Sequence, residues 1–295
     1  MAAAALLSVA LPFQAGVAAD AAEATPGVTL EAAYAGDLLR NTRGGLGVGS
    51  AYLDNLDLMA DVDGERAFGI AGLSLHGHVM YNNGREFSGR WVGDAQGIDN
   101  IEGVNTWRLY EFWGELQFGA SGRTTLRAGL YDLNSEFDSI ESAGLFLNPS
   151  HGIGPDLAQS GQNGPSIFPV TSLALRLQGG GESWYWQAAA FDAVPGTVDR
   201  PDRTSFRLGA GDGALLIGEF GRAVGPFRKL AVGAWSYTAE FEAIEEFDAA
   251  GDPVRTSGNR GFYAIAEASL VDRDALQVAG WLRAGRAEDR FNPFS

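Results

Sequence analysis

Residues 105–132 have the sequence NTWRLYEFWGELQFGASGRTTLRAGLYD, and this stretch decides the fold. Glutamate, glutamine, threonine and arginine alternate there with aliphatic and aromatic residues, on both sides of a glycine-flanked turn at 119–122. Successive side chains of a β-strand point to opposite faces, so the pattern predicts a hairpin with one apolar and one polar face. Two structures fit. A soluble β-sandwich would bury the apolar face in its core, and an outer-membrane β-barrel would turn it toward lipid.

The composition of the 295-residue chain excludes several functions without choosing between these structures. The net charge is -16 at pH 7 and the arginines form no basic run, so we expect no nucleic-acid partner. The chain has no cysteine, which excludes disulfides, zinc–thiolate sites and thiol nucleophiles. The mean hydropathy of -0.06 is too low for a helical membrane protein. It suits a membrane barrel, in which only every second strand residue meets lipid.

The first 19 residues, MAAAALLSVALPFQAGVAA, are apolar and end in small residues. Although a basic n-region is missing, this pattern predicts a signal peptide at residues 1–19, followed by a mature N-terminal segment at 20–27. An apolar N-terminal helix is the alternative, but Pro12 would interrupt it. The run is shorter than the ~20 residues that a transmembrane helix needs.

From residue 28 onward the chain alternates strand-like segments with turns. We count about eleven strands of roughly 8 to 13 residues, close to the ~9 to 11 that cross a bilayer at a tilt. Tight turns, as at 179–181, alternate with long polar connections, as at 195–212 and 242–260. This asymmetry is typical of outer-membrane barrels, whose strand number is even in bacterial single-chain examples. Because eleven is odd, we expect residues 28–295 to form a barrel domain that is truncated at its C-terminus.

Paired carboxylates and histidines suggest chemistry that the spacing does not support. Glu111 and Glu115 share one face of a strand about 13 Å apart by strand rise, which exceeds the usual separation of glycosidase carboxylates. His76 and His78 share a face with a spacing that can bind metal, but the sequence fixes no third ligand. Two solvated histidines explain the pair equally well. We therefore expect no enzyme activity, no metal site and no cofactor.

Aromatic residues recur near the ends of the predicted strands. Most fit girdles at the two membrane interfaces, although on a pore wall they could stack on sugar rings. They are Trp107, Tyr110, Phe112, Trp113, Phe118, Tyr131, Trp184, Tyr185, Trp186, Trp235, Tyr237, Tyr263 and Trp281.

Three motifs in a fixed order resemble the carbohydrate-selective porin family of the OprB type. They are RLYEFWGELQFG at 108–119, LRAGLYDLNSEFDS at 126–139 and LFLNPSHGIGPDL at 145–157. The likeness covers nearly all of residues 26–295, with further similarity at 93–103, 232–238, 261–270 and 289–295.

The resemblance implies an all-β fold, an antiparallel transmembrane β-barrel that has sixteen strands in the family. It implies a porin in the outer membrane of a Gram-negative bacterium, through which small sugars diffuse passively. Residues 134–170 would fold inward and narrow the water-filled pore. The family often has lysine where this chain has Leu130, so a cationic lining is not implied at that position. Partners would be small sugars and outer-membrane lipid, and a homotrimer is left open.

The predicted site follows from this assignment. Alternation in the hairpin turns Tyr110, Phe112, Leu116 and Leu126 toward lipid. Two alternatives to a carbohydrate-selective porin stay open. One is a non-selective general porin, and the other is a soluble extracellular β-sandwich acting on glycans. The residues expected on the pore wall are Glu111, Glu115, Arg127 and Asp132, with Arg108, Glu136 and Asn148 near the constriction.

Overall fold

The computed structural model describes residues 26–84, 86–119, 122–197, 203, 204, 206, 209, 211–273 and 276–295. The predicted signal peptide at 1–19 and nearly all of the predicted 20–27 segment lie outside the described residues. Both stay predictions.

The described chain is an antiparallel meander of eleven strands, as the periodicity predicts. Each strand pairs with the next in the chain, except that the ninth pairs with the twelfth across a small separate hairpin. The strands of the large sheet are β1 Val28–Asn41, β2 Gly49–Asp63, β3 Leu73–Asn83, β4 Thr106–Phe118, β5 Thr124–Tyr131, β6 Ser172–Gly180, β7 Trp184–Asp192, β8 Ala214–Val224, β9 Phe227–Tyr237, β12 Arg260–Arg273 and β13 Leu276–Ala287.

The small hairpin occupies the connection at 242–260 that the sequence predicts to be a polar loop. It consists of β10 Phe241–Phe247 and β11 Pro253–Thr256. Its turn is held by Asp248, whose side chain accepts hydrogen bonds from the backbone N–H groups of Ala250 and Asp252 at 2.8 and 3.0 Å. An aspartate that bonds to the backbone two residues ahead favours a turn, which explains why this polar stretch pairs with itself.

Helical structure is limited to short pieces between strands. The helix α1 Gly64–Phe68 follows β2, and α2 Pro155–Ala158 lies between β5 and β6. A π-helical turn spans Ser88–Val92, and 3₁₀ turns span Leu133–Ser135, Glu141–Leu145 and Pro149–His151. Within the described residues, no helix has the length and apolar character required to span a membrane.

One face of the large sheet is apolar and exposed. Alternate residues of its strands include Leu30, Phe112, Val232 and Leu282, which are 61, 61, 59 and 73% exposed. So many exposed apolar side chains on one face would aggregate in water, whereas a lipid environment would cover them. This sheet is the wall of an antiparallel transmembrane β-barrel, and β1 and β13 are not paired with each other among the described residues. A single continuous sheet of this kind does not fit the β-sandwich alternative.

Three of the four residues predicted to face lipid lie on this exposed face, and the fourth does not. Phe112, Leu116 and Leu126 are 61, 42 and 38% exposed. Tyr110 is only 8% exposed, and its hydroxyl donates a hydrogen bond to Asp132. The prediction for Tyr110 is wrong because of a β-bulge, since β4 carries one extra residue where it pairs with β3. A bulge reverses the alternation on one side of it.

The opposite face of the sheet packs against residues 134–170. The largest cluster of buried apolar side chains joins this segment to β7, β8, β9 and β12. Leu133, Phe137 and Leu157 contribute from the connection between β5 and β6, and all three are fully buried. The connection is therefore anchored by apolar burial as well as by the polar contacts described below.

Two glycines let tyrosine rings lie flat on this inner face. A Cβ atom at Gly221 would overlap the ring of Tyr185, and one at Gly233 would overlap the ring of Tyr263. Both tyrosine hydroxyls donate to Glu219, at 2.5 and 2.7 Å. The glycines therefore position the donors of a buried carboxylate.

Replacing Gly233 with alanine should lower the free energy of unfolding by ~1 to 3 kcal/mol, the usual cost of overpacking. The reason is that the ring of Tyr263 must move away from Glu219. Urea unfolding in detergent micelles, followed by tryptophan fluorescence, measures the change. Gly218→Ala is the matched control, because its nearest neighbour would be the carbonyl oxygen of Gln187 at an ordinary 3.7 Å. Equal stability of the two variants would contradict the prediction.

Candidate functional site

Four charged side chains meet on the inner face, and we call them the charged cluster: Glu115, Arg127, Glu136 and Arg176. Glu115 on β4 pairs across the sheet with Arg127 on β5, which pairs in turn with Arg176 on β6. Arg127 Nε donates to Glu115 at 3.0 Å, and Arg176 Nη2 donates to the same carboxylate at 2.8 Å. Arg176 Nε also donates to Glu136 at 2.9 Å. Glu136 belongs to the connection after β5, so this contact joins that connection to the wall.

The cluster carries two positive and two negative charges, and one of its arginines packs on an aromatic ring. The guanidinium of Arg127 lies 3.7 Å from the ring centre of Trp113, an attractive cation–π contact. Arg176 is 1% exposed, whereas Arg127, Glu136 and Glu115 are 15, 15 and 20% exposed at their side chains. Arg176 is thus the buried member of the cluster and holds the two glutamates in place. The other three keep surface that a solute can touch.

Glu111 and Asp132 form a second polar contact beside the cluster. A carboxylate oxygen of Glu111 accepts the backbone N–H of Asp132 at 2.8 Å, and Asp132 accepts the hydroxyl of Tyr110. Burial raises the pKa of Asp132 to about 6, and the nearby Glu111 adds to this increase, while the Tyr110 hydrogen bond opposes it. Asp132 follows β5 directly and begins the connection that Glu136 anchors.

Arg108 and Asn148 lie apart from the charged cluster. Arg108 is 5% exposed and donates to the backbone carbonyls of Pro169 and Val104 at 3.0 and 3.3 Å. Asn148 caps a 3₁₀ turn by accepting the N–H of Ser150 at 2.9 Å. Both residues hold backbone in place. The structure therefore brings five of the seven predicted residues into the two groups described above, and places these two elsewhere.

Glu219 on β8 is the central anchor between wall and connection. Its side chain is fully buried and accepts the hydroxyls of Tyr185 and Tyr263 at 2.5 and 2.7 Å. It also accepts the backbone N–H of Asp138 at 3.1 Å and lies 3.3 Å from the ammonium of Lys229. A buried carboxylate with this many donors is well compensated for its lost hydration.

Arg283 on β13 binds two aspartates of the same connection. It donates to Asp138 from Nε at 3.0 Å and from Nη2 at 2.7 Å, and Nη2 also donates to Asp156 at 3.0 Å. Asp138 is fully buried and Asp156 is 6% exposed at its side chain. Burial raises the pKa of Asp138, and the guanidinium of Arg283 opposes that increase.

The comparison with known families decides the identity. Residues 48–294 match the family model described as carbohydrate-selective porin, OprB family. The chain belongs to this family. Its fold is similar to that in the high-pH structure of OprB from Pseudomonas putida, with a TM-score of 0.70 and 20% sequence identity. That match covers 83% of this porin and 62% of the other chain. The porin thus spans less than two thirds of the solved relative.

A search of curated protein sequences gives no match to this porin. Membership of this family assigns the protein to the outer membrane of a Gram-negative bacterium.

Sequence reasoning missed three anchors of this porin: Arg176, Glu219 and Arg283. Each sits between apolar or glycine residues in a strand, as in LALRLQ, LIGEFG and WLRAG. A lone charge in such a segment indicates the face turned away from lipid. That signal could have placed the three side chains on the inner face. Their partners on the connection could not have been inferred, because they are 40 to 145 residues away in sequence.

Proposed function

We propose that this porin lets small sugars diffuse passively through a water-filled channel. The inner face of the large sheet forms the wall, and residues 134–170 fold inward and narrow the passage. Contacts of this segment with β6, β8, β9, β12 and β13 support the inward position. In such a channel polar side chains replace part of the solute's water, and binding stays weak enough for release.

The charged cluster over Trp113 is the observation that carries the proposal. A sugar offers hydroxyls that both donate and accept hydrogen bonds, so it favours a site with charged donors and acceptors side by side. Arg127 supplies donors, and Glu115 and Glu136 supply acceptors. The ring of Trp113 packs between Arg127 and His76 and holds the guanidinium in place. The cluster is neutral overall, so it has no strong preference for ions of one sign.

We assign sugar contact to Glu115, Arg127 and Glu136, and we assign Trp113 the role of holding the guanidinium of Arg127. Glu111 and Asp132 line the neighbouring wall at the point where the connection leaves β5. Arg108 and Asn148 shape the narrow region only through the backbone groups that they hold. In the full chain, residues 1–19 would direct export, residues 28–295 form the porin domain, and trimer formation stays open.

Liposome swelling tests the proposal. Liposomes containing the purified full-length chain are placed in iso-osmotic glucose, a neutral amino acid of similar size, or a salt. We expect the fastest swelling with glucose and a decrease of about tenfold for Trp113→Ala, because Arg127 loses a cation–π contact of about 1.4 kcal/mol that holds it in place. Trp186→Ala is the control, because Trp186 lies on the lipid-exposed face and is 36% exposed. Equal rates for all solutes would support the non-selective alternative and refute sugar selectivity.

A further inference from the structure

Two histidines on the inner face of β3 meet a carboxylate from the next strand. His76 and His78 are two residues apart on the same side of β3, and β4 places Glu111 directly opposite His78. One ligand atom from each of the three residues lies within 4.8 Å of the others. The side chains of His76, His78 and Glu111 are 12, 12 and 13% exposed. The register of the sheet thus supplies the third ligand that the sequence leaves undefined.

The separation of the facing atoms suits a shared metal ion better than a hydrogen bond. Nε2 of His76 lies 3.5 Å from Oε2 of Glu111, beyond the usual ~2.7 to 3.2 Å of an N–H···O bond. Two ligand atoms that are each ~2.0 to 2.1 Å from a zinc ion in tetrahedral geometry lie about 3.4 Å apart. The pair therefore already has nearly the spacing of a tetrahedral edge.

Neighbouring groups hold His76 and Glu111 in their orientations. Nδ1 of His76 lies 2.8 Å from Asp61, and this leaves Nε2 directed at Glu111. One oxygen of Glu111 accepts the N–H of Asp132 and leaves the other oxygen for His76. A histidine that binds a metal through one ring nitrogen commonly bonds a carboxylate through the other. Such a carboxylate fixes the ring and raises its basicity.

Aromatic rings fix the same two imidazoles. Trp113 stacks on His76 with ring centres 5.0 Å apart and an angle of 20° between the planes. Tyr110, the extra residue of the β-bulge, contacts His78 edge-on at 5.1 Å. Bulges often redirect side chains at functional sites. Here the bulge brings Tyr110 and Glu111 to the same face.

The charge around the three ligands favours a cation. Nε2 of His78 lies 2.8 Å from Asp57, which leaves Nδ1 for an ion. Two aspartates and Glu111 thus surround two imidazoles, which are neutral when they bind metal. The group then has three negative charges and no fixed positive charge. A divalent ion would offset most of this negative charge. Nitrogen ligands exclude magnesium and calcium as preferred ions, because both favour all-oxygen sites.

We infer that His76, His78 and Glu111 bind a divalent transition-metal ion of the zinc type on the inner wall, with water completing the coordination. The site ties β3 to β4. Through the bond from Glu111 to Asp132, it also contacts the start of the connection at 134–170.

Titration calorimetry of the full-length chain in detergent, after removal of metal with a chelator, tests the site with zinc chloride. We expect about one equivalent of zinc to bind, and no comparable binding of magnesium. His76→Gln and His78→Gln should each weaken binding at least tenfold, as should Glu111→Gln. His151→Gln is the matched control, because it removes the one other histidine of the chain.

The assay measures binding directly, so its outcome does not depend on channel activity. Should a histidine variant fail to fold, Asp61→Asn keeps all three ligands and should weaken zinc binding about tenfold to a hundredfold, as loss of an orienting carboxylate does. The inference is overturned if the wild type binds no zinc, if Asp61→Asn binds zinc as the wild type does, or if His151→Gln loses as much affinity as His76→Gln.

Discussion

Replacing Arg283 with alanine is expected to lower the free energy of unfolding by about 3 to 5 kcal/mol, the usual cost of removing one partner of a buried ion pair. The guanidinium binds Asp138 and Asp156, whose side chains are 0 and 6% exposed. Without it, both carboxylates stay in a site that excludes water. The connection at 134–170 must then leave the wall or bury uncompensated charge.

Urea unfolding in micelles and limited proteolysis measure this effect. We expect new cleavage within residues 134–170 before the sheet itself unfolds. The substitution removes a contact that anchors the connection and leaves the hydrogen bonds between strands intact. Arg286→Ala is the matched control, since Arg286 lies on the same strand with an exposed side chain. Similar proteolysis of both variants would contradict the assignment of Arg283 as an anchor of the connection.

The pH dependence of the Arg283→Ala defect gives a second test. Burial already raises the pKa of Asp138, and loss of the guanidinium raises it further. A carboxyl with a raised folded-state pKa stabilises the folded form below its unfolded pKa of ~3.9, and this contribution is lost as pH rises. The variant should therefore be protected from protease near pH 4 to 5 and sensitive at pH 8. A defect that is independent of pH would indicate lost packing and not uncompensated charge.

The strands could be predicted from the sequence because the surroundings of a barrel strand determine the residue pattern within that strand. Lipid on one side and a polar interior on the other impose alternation within each strand, and eleven segments showed it. The exception at Tyr110 is instructive. A bulge shifts the alternation by one residue, and nothing in RLYEFWGEL marks where the extra residue sits.

The candidate site could be predicted only in part, because its contacts join distant segments. Alternation placed Glu111, Glu115 and Arg127 on the inner face, and pairing of neighbouring strands brought the last two together. The partners of Glu136 and Asp138 depend on how the connection after β5 folds back over strands that follow it by up to 145 residues. Arg108 illustrates the limit, since its charge suggested a pore residue while its guanidinium holds backbone carbonyls.

Replacing Arg127 with glutamine is expected to make the channel more selective for cations. The charged cluster then has one arginine against two glutamates, a net charge of -1 in place of zero. A cation at about 4 Å gains ~1 kcal/mol from one unit charge in a water-like dielectric, which corresponds to about a fivefold preference. Sugar flux should fall as well, because Glu115 and Glu136 lose a donor that holds them in place.

Reversal potentials in planar bilayers under a potassium chloride gradient measure the ion preference, and liposome swelling measures the sugar flux. Arg123→Gln is the matched control, because it removes the same charge from an exposed side chain that lies 3.4 Å from Glu182 near a turn. Its ion preference should equal that of the wild type. An equal shift in both variants would show that the charge of the whole protein, and not the cluster, sets selectivity.

Arg127→Lys separates the role of charge from that of geometry. Lysine keeps the positive charge but lacks the planar fork that reaches Glu115 and Glu136 while lying over Trp113. Ion preference should therefore stay close to that of the wild type, whereas sugar flux should fall toward that of Arg127→Gln. If lysine restores both properties, Arg127 acts only as a point charge, and the sugar contact proposed for its guanidinium is wrong.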